Sequence, residues 1–87
     1  MFQLWGKEWK QGRMVRDYVY QEESDDTRTH KIFRGLDVIC AAFDLSRPIW
    51  LDATVEEFQR HSKARFYADS FIDSIPFDYL EIQILEE

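Results

Sequence analysis

Lys31-Ile32-Phe33-Arg34-Gly35-Leu36-Asp37-Val38-Ile39-Cys40-Ala41-Ala42-Phe43 is the stretch on which the fold turns. Ile32, Phe33, Leu36, Ile39, Cys40 and Phe43 recur at i, i+1, i+4, i+7, i+8 and i+11, a single apolar stripe at 3.6 residues per turn. On the opposite side of the same wheel stand Lys31 and Arg34, then Val38, Ala41, Ala42 and Leu45. The first half is therefore amphipathic and the second half apolar nearly all round, the pattern of a helix end packed on both sides. Upstream, Gln21 to Thr27 is polar and acidic, and Ser24, Asp25, Asp26 and Thr27 each suit the N-cap. Downstream, Pro48 is the predicted stop. A helix of about 18 residues, roughly 27 Å long, is expected.

Such a stripe needs a surface to bury against, and the two ends of the chain supply it. Phe2 to Trp9 and Arg13 to Tyr20 are rich in aromatic and β-branched residues, with Gly12 between them free to take positive φ, so they read as a hairpin. In the first arm Phe2 and Leu4 point one way, and Gln3, Trp5, Lys7 and Trp9 the other. The second arm has no clean phase: Val15 and Val19 flank Asp17, while Met14, Tyr18 and Tyr20 flank Arg16. At the other terminus Leu80, Ile82 and Ile84 alternate with Tyr79, Glu81, Gln83 and Leu85, a half-buried strand of about 26 Å from Tyr79 to Glu86 at roughly 3.3 Å per residue. Helix and strand match in length. The expected architecture is α+β: a small three-stranded antiparallel sheet, hairpin plus C-terminal strand, packed on one long helix.

Between these parts, Thr54 and Glu57 have capping-box spacing ahead of Phe58, which predicts a short second helix from Val55 to about His61. Its expected role is to lay Trp50, Val55 and Phe58 over Val38, Ala41 and Ala42. Lys63 to Ile75 reads two ways: Phe71, Ile72 and Ile75 fit a helical turn ended by Pro76, whereas Arg65-Phe66-Tyr67 fits an extended chain.

Eighty-seven residues, 45% apolar and 16% aromatic, make one domain spanning 1–87 with ample core and no disordered character. No apolar run approaches the 18 residues of a membrane span, and the N-terminus lacks the pattern of a secretory signal. Cys40 is the only cysteine, so no intrachain disulfide forms; a cytoplasmic location is expected. Net charge is −6, against an electrostatic grip on nucleic acid or anionic lipid. The imbalance is uneven: residues 1–34 carry seven basic and six acidic groups, the rest four and eleven.

The sequence carries no catalytic or cofactor signature. Phosphate-cradling glycine motifs, a nucleophile elbow, HExxH and CxxC spacings are all lacking. Cys40 falls inside the apolar stripe and reads as a small buried hydrophobe with a raised pKa. Glu57 and His61 share a helical face at i, i+4, and with Asp69 they make the one enzymatic or metal-dependent reading, set against the simpler one of surface ion pairing and capping. No cofactor is implied.

The informative excess is aromatic. If Leu80, Ile82 and Ile84 face the helix, then Tyr79, with Trp5, Trp9, Tyr18 and Tyr20, decorates the other side of the sheet, and Leu85 ends it. Exposed aromatic patches mark contacts. The expected function is a non-enzymatic protein-interaction module, its partner another protein or a second copy of the chain, paired through the open edge of the closing strand or through this face. Two other readings stay open: single-stranded nucleic acid stacked on the face, which the charge disfavours, and Phe66, Tyr67 and Phe71 folding over the face as core.

Arg47-Pro48-Ile49-Trp50-Leu51-Asp52 and Phe77-Asp78-Tyr79-Leu80-Glu81-Ile82-Gln83 resemble segments of a group of short proteins from clostridia and related Firmicutes, which also open on a Trp-containing hairpin and close on an FDYLEI-type strand. The resemblance implies a bacterial, cytoplasmic, stand-alone domain. It implies no activity and transfers no functional residue.

Overall fold

A computed structural model describes residues 1–87. The elements run β1 (Phe2–Lys10), β2 (Arg13–Glu22), α1 (Arg28–Ala42), α2 (Asp52–His61), β3 (Lys63–Phe66), a 3-10 turn (Ala68–Ser70) and β4 (Tyr79–Glu86). The class is α+β, as expected, but the sheet has four antiparallel strands in the order β2-β1-β4-β3. The fourth strand, β3, comes from the ambiguous segment, whose extended reading holds for Lys63–Phe66. Phe71 does not continue a helix: it is buried in an irregular stretch that leaves Ile72 86% exposed.

The hairpin closes through Gln11 (φ 51) and Gly12 (φ 76), two successive left-handed residues whose twist matches that of the strands they join. The mixed phase of the second arm has a cause. Glu8 pairs with Arg16 but Trp9 pairs with Met14, so Val15 is the extra residue of a bulge. Beyond it the strand changes face, bringing Met14 opposite Trp9 while Arg16, Tyr18 and Tyr20 stay opposite Glu8, Gly6 and Leu4.

Thr27 caps α1, its Oγ1 accepting from the His30 N–H at 3.2 Å. The helix ends at Ala42, well before Pro48. Asp44 takes φ 55, and the Leu45 and Asp44 N–H groups donate to the Cys40 and Ala41 carbonyls at 2.8 and 3.2 Å, a Schellman ending. No basic residue lies in the last turn of α1; Arg16 of β2 supplies the charge, donating to the Phe43 carbonyl at 2.6 Å while chelating the buried Glu8 carboxylate at 2.8 and 2.9 Å.

The stripe of α1 buries Ile32, Leu36, Ile39, Cys40 and Phe43 against Phe2, Leu4, Leu80 and Ile82, with Ala64 and Phe66 of β3 in the same cluster. Two glycines allow the close approach. A Cβ on Gly6 would overlap Ile39 Cγ2, and one on Gly35 would lie 2.9 Å from Leu4 and Tyr20 side-chain atoms. Phe33 departs from the expected stripe: it is 48% exposed and stands edge-on to Trp50, ring centroids 6.3 Å apart.

The second helix is also displaced from expectation. It starts at Asp52, and its N-cap residue, Leu51, makes no side-chain cap. The capping box does not form, because Glu57 turns to β3 and accepts from the Arg65 N–H at 3.0 Å. Instead of covering Val38, Ala41 and Ala42, α2 lies on the Phe33 flank of α1. There Trp50 stands edge-on to Phe58 and Phe66 at 5.7 and 4.9 Å. Val38, Ala41 and Ala42 stay exposed.

Candidate interaction surface

Both helices pack on one face of the sheet, so strand alternation leaves the other face without a covering layer. Register places Trp5, Lys7 and Trp9 of β1 beside Gln83, Glu81 and Tyr79 of β4, with Lys63 and Arg65 of β3 on one flank and Asp17 and Val19 of β2 on the other. Tyr67, one residue past β3, lies 5.4 Å from the Tyr79 ring, centroid to centroid. The chain has not folded Phe66 and Phe71 over this face; both are in the core on the helix side.

The centre of the open face is ionic. Glu81 and Lys7 are only 4% and 6% exposed although no element covers them, because neighbouring side chains close over them laterally. Lys7 Nζ lies 2.9 Å from Glu81 Oε1 and donates to Gln83 Oε1 at 3.1 Å. Trp9 Nε1 donates to Glu81 Oε1 at 3.3 Å, and Arg65 Nε to Oε2 at 3.1 Å. One carboxylate thus accepts from three side chains. Burial pushes the Glu81 carboxyl up, yet the hydrogen bonds and charges of Lys7 and Arg65 outweigh it and hold its pKa below the ordinary value.

Around this centre the aromatic rings are fixed. Lys7 Nζ sits 4.0 Å from the Trp5 ring centroid, Trp5 Nε1 donates to Asp17 Oδ2 at 2.8 Å, and the Arg65 guanidinium lies 4.7 Å from the Tyr79 ring. Trp9 and Tyr79 are tilted neighbours at 6.5 Å.

Of the residues singled out from sequence, Trp5, Trp9 and Tyr79 come together here. Tyr18 and Tyr20 do not, since they lie on the helix side of β2, where Tyr20 packs on the core and its hydroxyl donates to Glu22 Oε1 at 2.7 Å. Nor does Leu85, the unpaired residue of a bulge between the Leu4–Ile84 and Gln3–Glu86 pairs. Lys7, Arg65 and Glu81 were missed, and Tyr67, read only as core over the face, is instead exposed beside Tyr79. The alternation that puts Glu81 beside Tyr79 was visible; that three donors converge on it depends on β3 pairing with β4.

The enzymatic candidates come together only in part: Glu57 and His61 line one open depression on α2 with Glu56 and Arg60, and Asp69 is not among its lining residues. Glu57 is tied to the Arg65 backbone, His61 is exposed at the end of α2, and Asp69 is exposed on the 3-10 turn. No three His, Cys, Asp or Glu side chains gather closely enough to share a metal ion. Cys40 is buried, and burial chiefly, with Asp37 adding to it, pushes its thiol up to about 12. An apolar depression of about 320 Å³ between α1 and α2 is lined by Phe33, Trp50, Val55 and Phe58, with Arg28, Thr29 and Gln59 as its polar residues. No helix is long and apolar enough to cross a membrane. In comparisons with protein-family models, curated proteins and solved structures, none matches this chain.

Proposed function

We propose that this chain is a non-enzymatic protein-interaction module that docks a protein partner on the open face of its sheet. One observation carries the reading: Trp5, Trp9, Tyr67 and Tyr79 are held in fixed positions around the Lys7–Glu81–Arg65 centre on a face that no element covers. Trp, Tyr and Arg are the residues that dominate binding energy at interfaces. Rings already pinned by hydrogen bonds and cation–π contacts lose little freedom on docking. Acid does not prevail on this face, which sets Lys7, Lys63 and Arg65 against Asp17 and Glu81 in a chain of net charge −6.

Single-stranded nucleic acid fits less well, because Lys7 and Arg65 are both engaged by Glu81, and three cations against two carboxylates leave the face little net positive charge for phosphates. The lone buried thiol suits a reducing, cytoplasmic setting. The test is a native pull-down from the source cell with the tagged full chain and three variants. Trp5→Lys and Tyr67→Lys should lose a partner that the wild type and Val55→Lys, altered on the far side, both retain. Retention of the same proteins by all four overturns the proposal.

A further inference from the structure

A second surface, on the edge of the sheet and not its face, fits a different partner. The closing strand β4, expected as an open edge, is internal, lying between β1 and β3. Of the two true edges, β3 is four residues long, whereas β2 is ten. Unpaired N–H and C=O groups along a long edge are a template for another strand. The bulge at Val15 breaks the regular part of β2 at one end, leaving Arg16–Glu22.

From these facts we infer that β2 pairs antiparallel with β2 of a second copy of this chain about a two-fold axis through Val19, joining two sheets into one of eight strands. The register follows from symmetry. The regular segment Arg16–Glu22 has Val19 at its midpoint, so the longest two-fold pairing that avoids the bulge sets Val19 against its own copy. Arg16 then stands opposite the partner's Glu22, Asp17 opposite the partner's Gln21, and Tyr18 opposite the partner's Tyr20. Every pair falls on one face, as an antiparallel ladder requires, and no like charges meet. A register centred on Asp17 would oppose two aspartates.

An independent feature lies beside this edge. Arg34 bonds Glu22, Gly35 packs on Tyr20, and Arg16 reaches the Phe43 carbonyl, so α1 runs antiparallel to β2 along its border. The flank of α1 between those anchors carries the exposed Val38, Ala41 and Ala42, the apolar patch that α2 leaves bare. Pairing of the β2 edges draws the two copies of this flank together, over Tyr18 on the same side of the sheet. Small side chains there permit close approach. The acid is elsewhere: from Arg13 to Glu22 the strand carries two basic and two acidic residues in a chain of net charge −6.

Light scattering and sedimentation of the full chain at 1 µM to 1 mM should show a dimer. Val19→Lys sets two lysines face to face on the axis, and Val38→Glu sets like charges on the α1 flank; each should raise the dissociation constant at least about tenfold. Their circular dichroism should stay that of the wild type, since both positions are exposed. Tyr67→Lys, on the open face but beyond the opposite edge of the sheet, should leave the dimer intact. In oxidising buffer Val19→Cys should form a disulfide-linked dimer, because directly opposed strand residues lie about 4.5–5.5 Å apart, within disulfide reach. Gln21→Cys should not, and buried Cys40 should stay unlinked. A monomer mass throughout overturns the proposal, as does a dimer that Tyr67→Lys dissociates or that Gln21→Cys links and Val19→Cys does not. The pull-down that tests the open face is a separate readout, so either reading can fall alone.

Discussion

The two faces of this sheet are made by the same strands and closed in opposite ways. On the helix side Phe2, Leu4, Leu80, Ile82 and Phe66 are sealed by shape, with Gly6 admitting Ile39 to the strand backbone. On the open side Lys7 and Glu81 are almost as well hidden, but by lateral closure: a carboxylate ringed by Lys7, Trp9 and Arg65, with tryptophan and tyrosine rings around it. An apolar face needs a second layer to leave water. A polar-aromatic face can partly bury itself, because ion pairs and hydrogen bonds hold long side chains flat against the sheet. The difference decides which surface remains for a partner.

The largest break should come from the closed face. Phe66→Ala empties a fully buried ring position and should cost about 3–5 kcal/mol in urea unfolding, enough to unfold much of a small domain. If the cost is under about 1 kcal/mol, β3 is not part of the core.

The open face should yield somewhat less, and with a signature in pH. Glu81→Gln leaves Lys7 buried without its counter-charge and should cost about 2–3 kcal/mol at neutral pH. Because the Glu81 pKa is lower in the folded chain than in the unfolded one, the unfolded state binds more protons on acidification. This contribution is therefore full above the unfolded carboxyl value of about 4.3 and is lost as pH falls through the folded value. Urea unfolding between about pH 5 and pH 2 should then show a shallower decline in the variant than in the wild type. Equal slopes would mean that Glu81 is solvated like any surface glutamate.

Gly6→Ala sharpens the contrast at the meeting point of strand and helix. Its Cβ would press on Ile39 Cγ2, forcing a new rotamer or a lifted helix at about 1–3 kcal/mol. The smallest effect belongs to the exposed network at the border of β2 and α1, where Arg34 bonds Glu22 and Asp26. Hydrogen bonds from Arg34, Ser24 and Tyr20 hold the Glu22 carboxyl down to about 2. In an NMR titration it should move toward the ordinary value of about 4.3 on Arg34→Ala, with little change in stability.

Where the signal is local, the residues alone were enough. The 3.6-residue stripe marked α1 and most of its buried face, Gly12 marked the turn, and strict alternation marked β4 and which of its residues face the helix. Trp5, Trp9 and Tyr79 could be assigned to one face because alternation within a strand is a local rule. Tertiary structure decided whatever depends on partners far along the chain. Lys63–Phe66 became a strand because β4 offered it a ladder, not because four residues insist on being extended. That pairing drew Glu57 from its capping box to the Arg65 N–H and delivered Arg65 to Glu81. Where α2 lies, and so which flank of α1 stays bare, was settled by Trp50 fitting edge-on among Phe33, Phe58 and Phe66. Periodicity names the side of an element that must be covered, while the choice of cover is a packing contest among distant residues, and only the folded chain records its result.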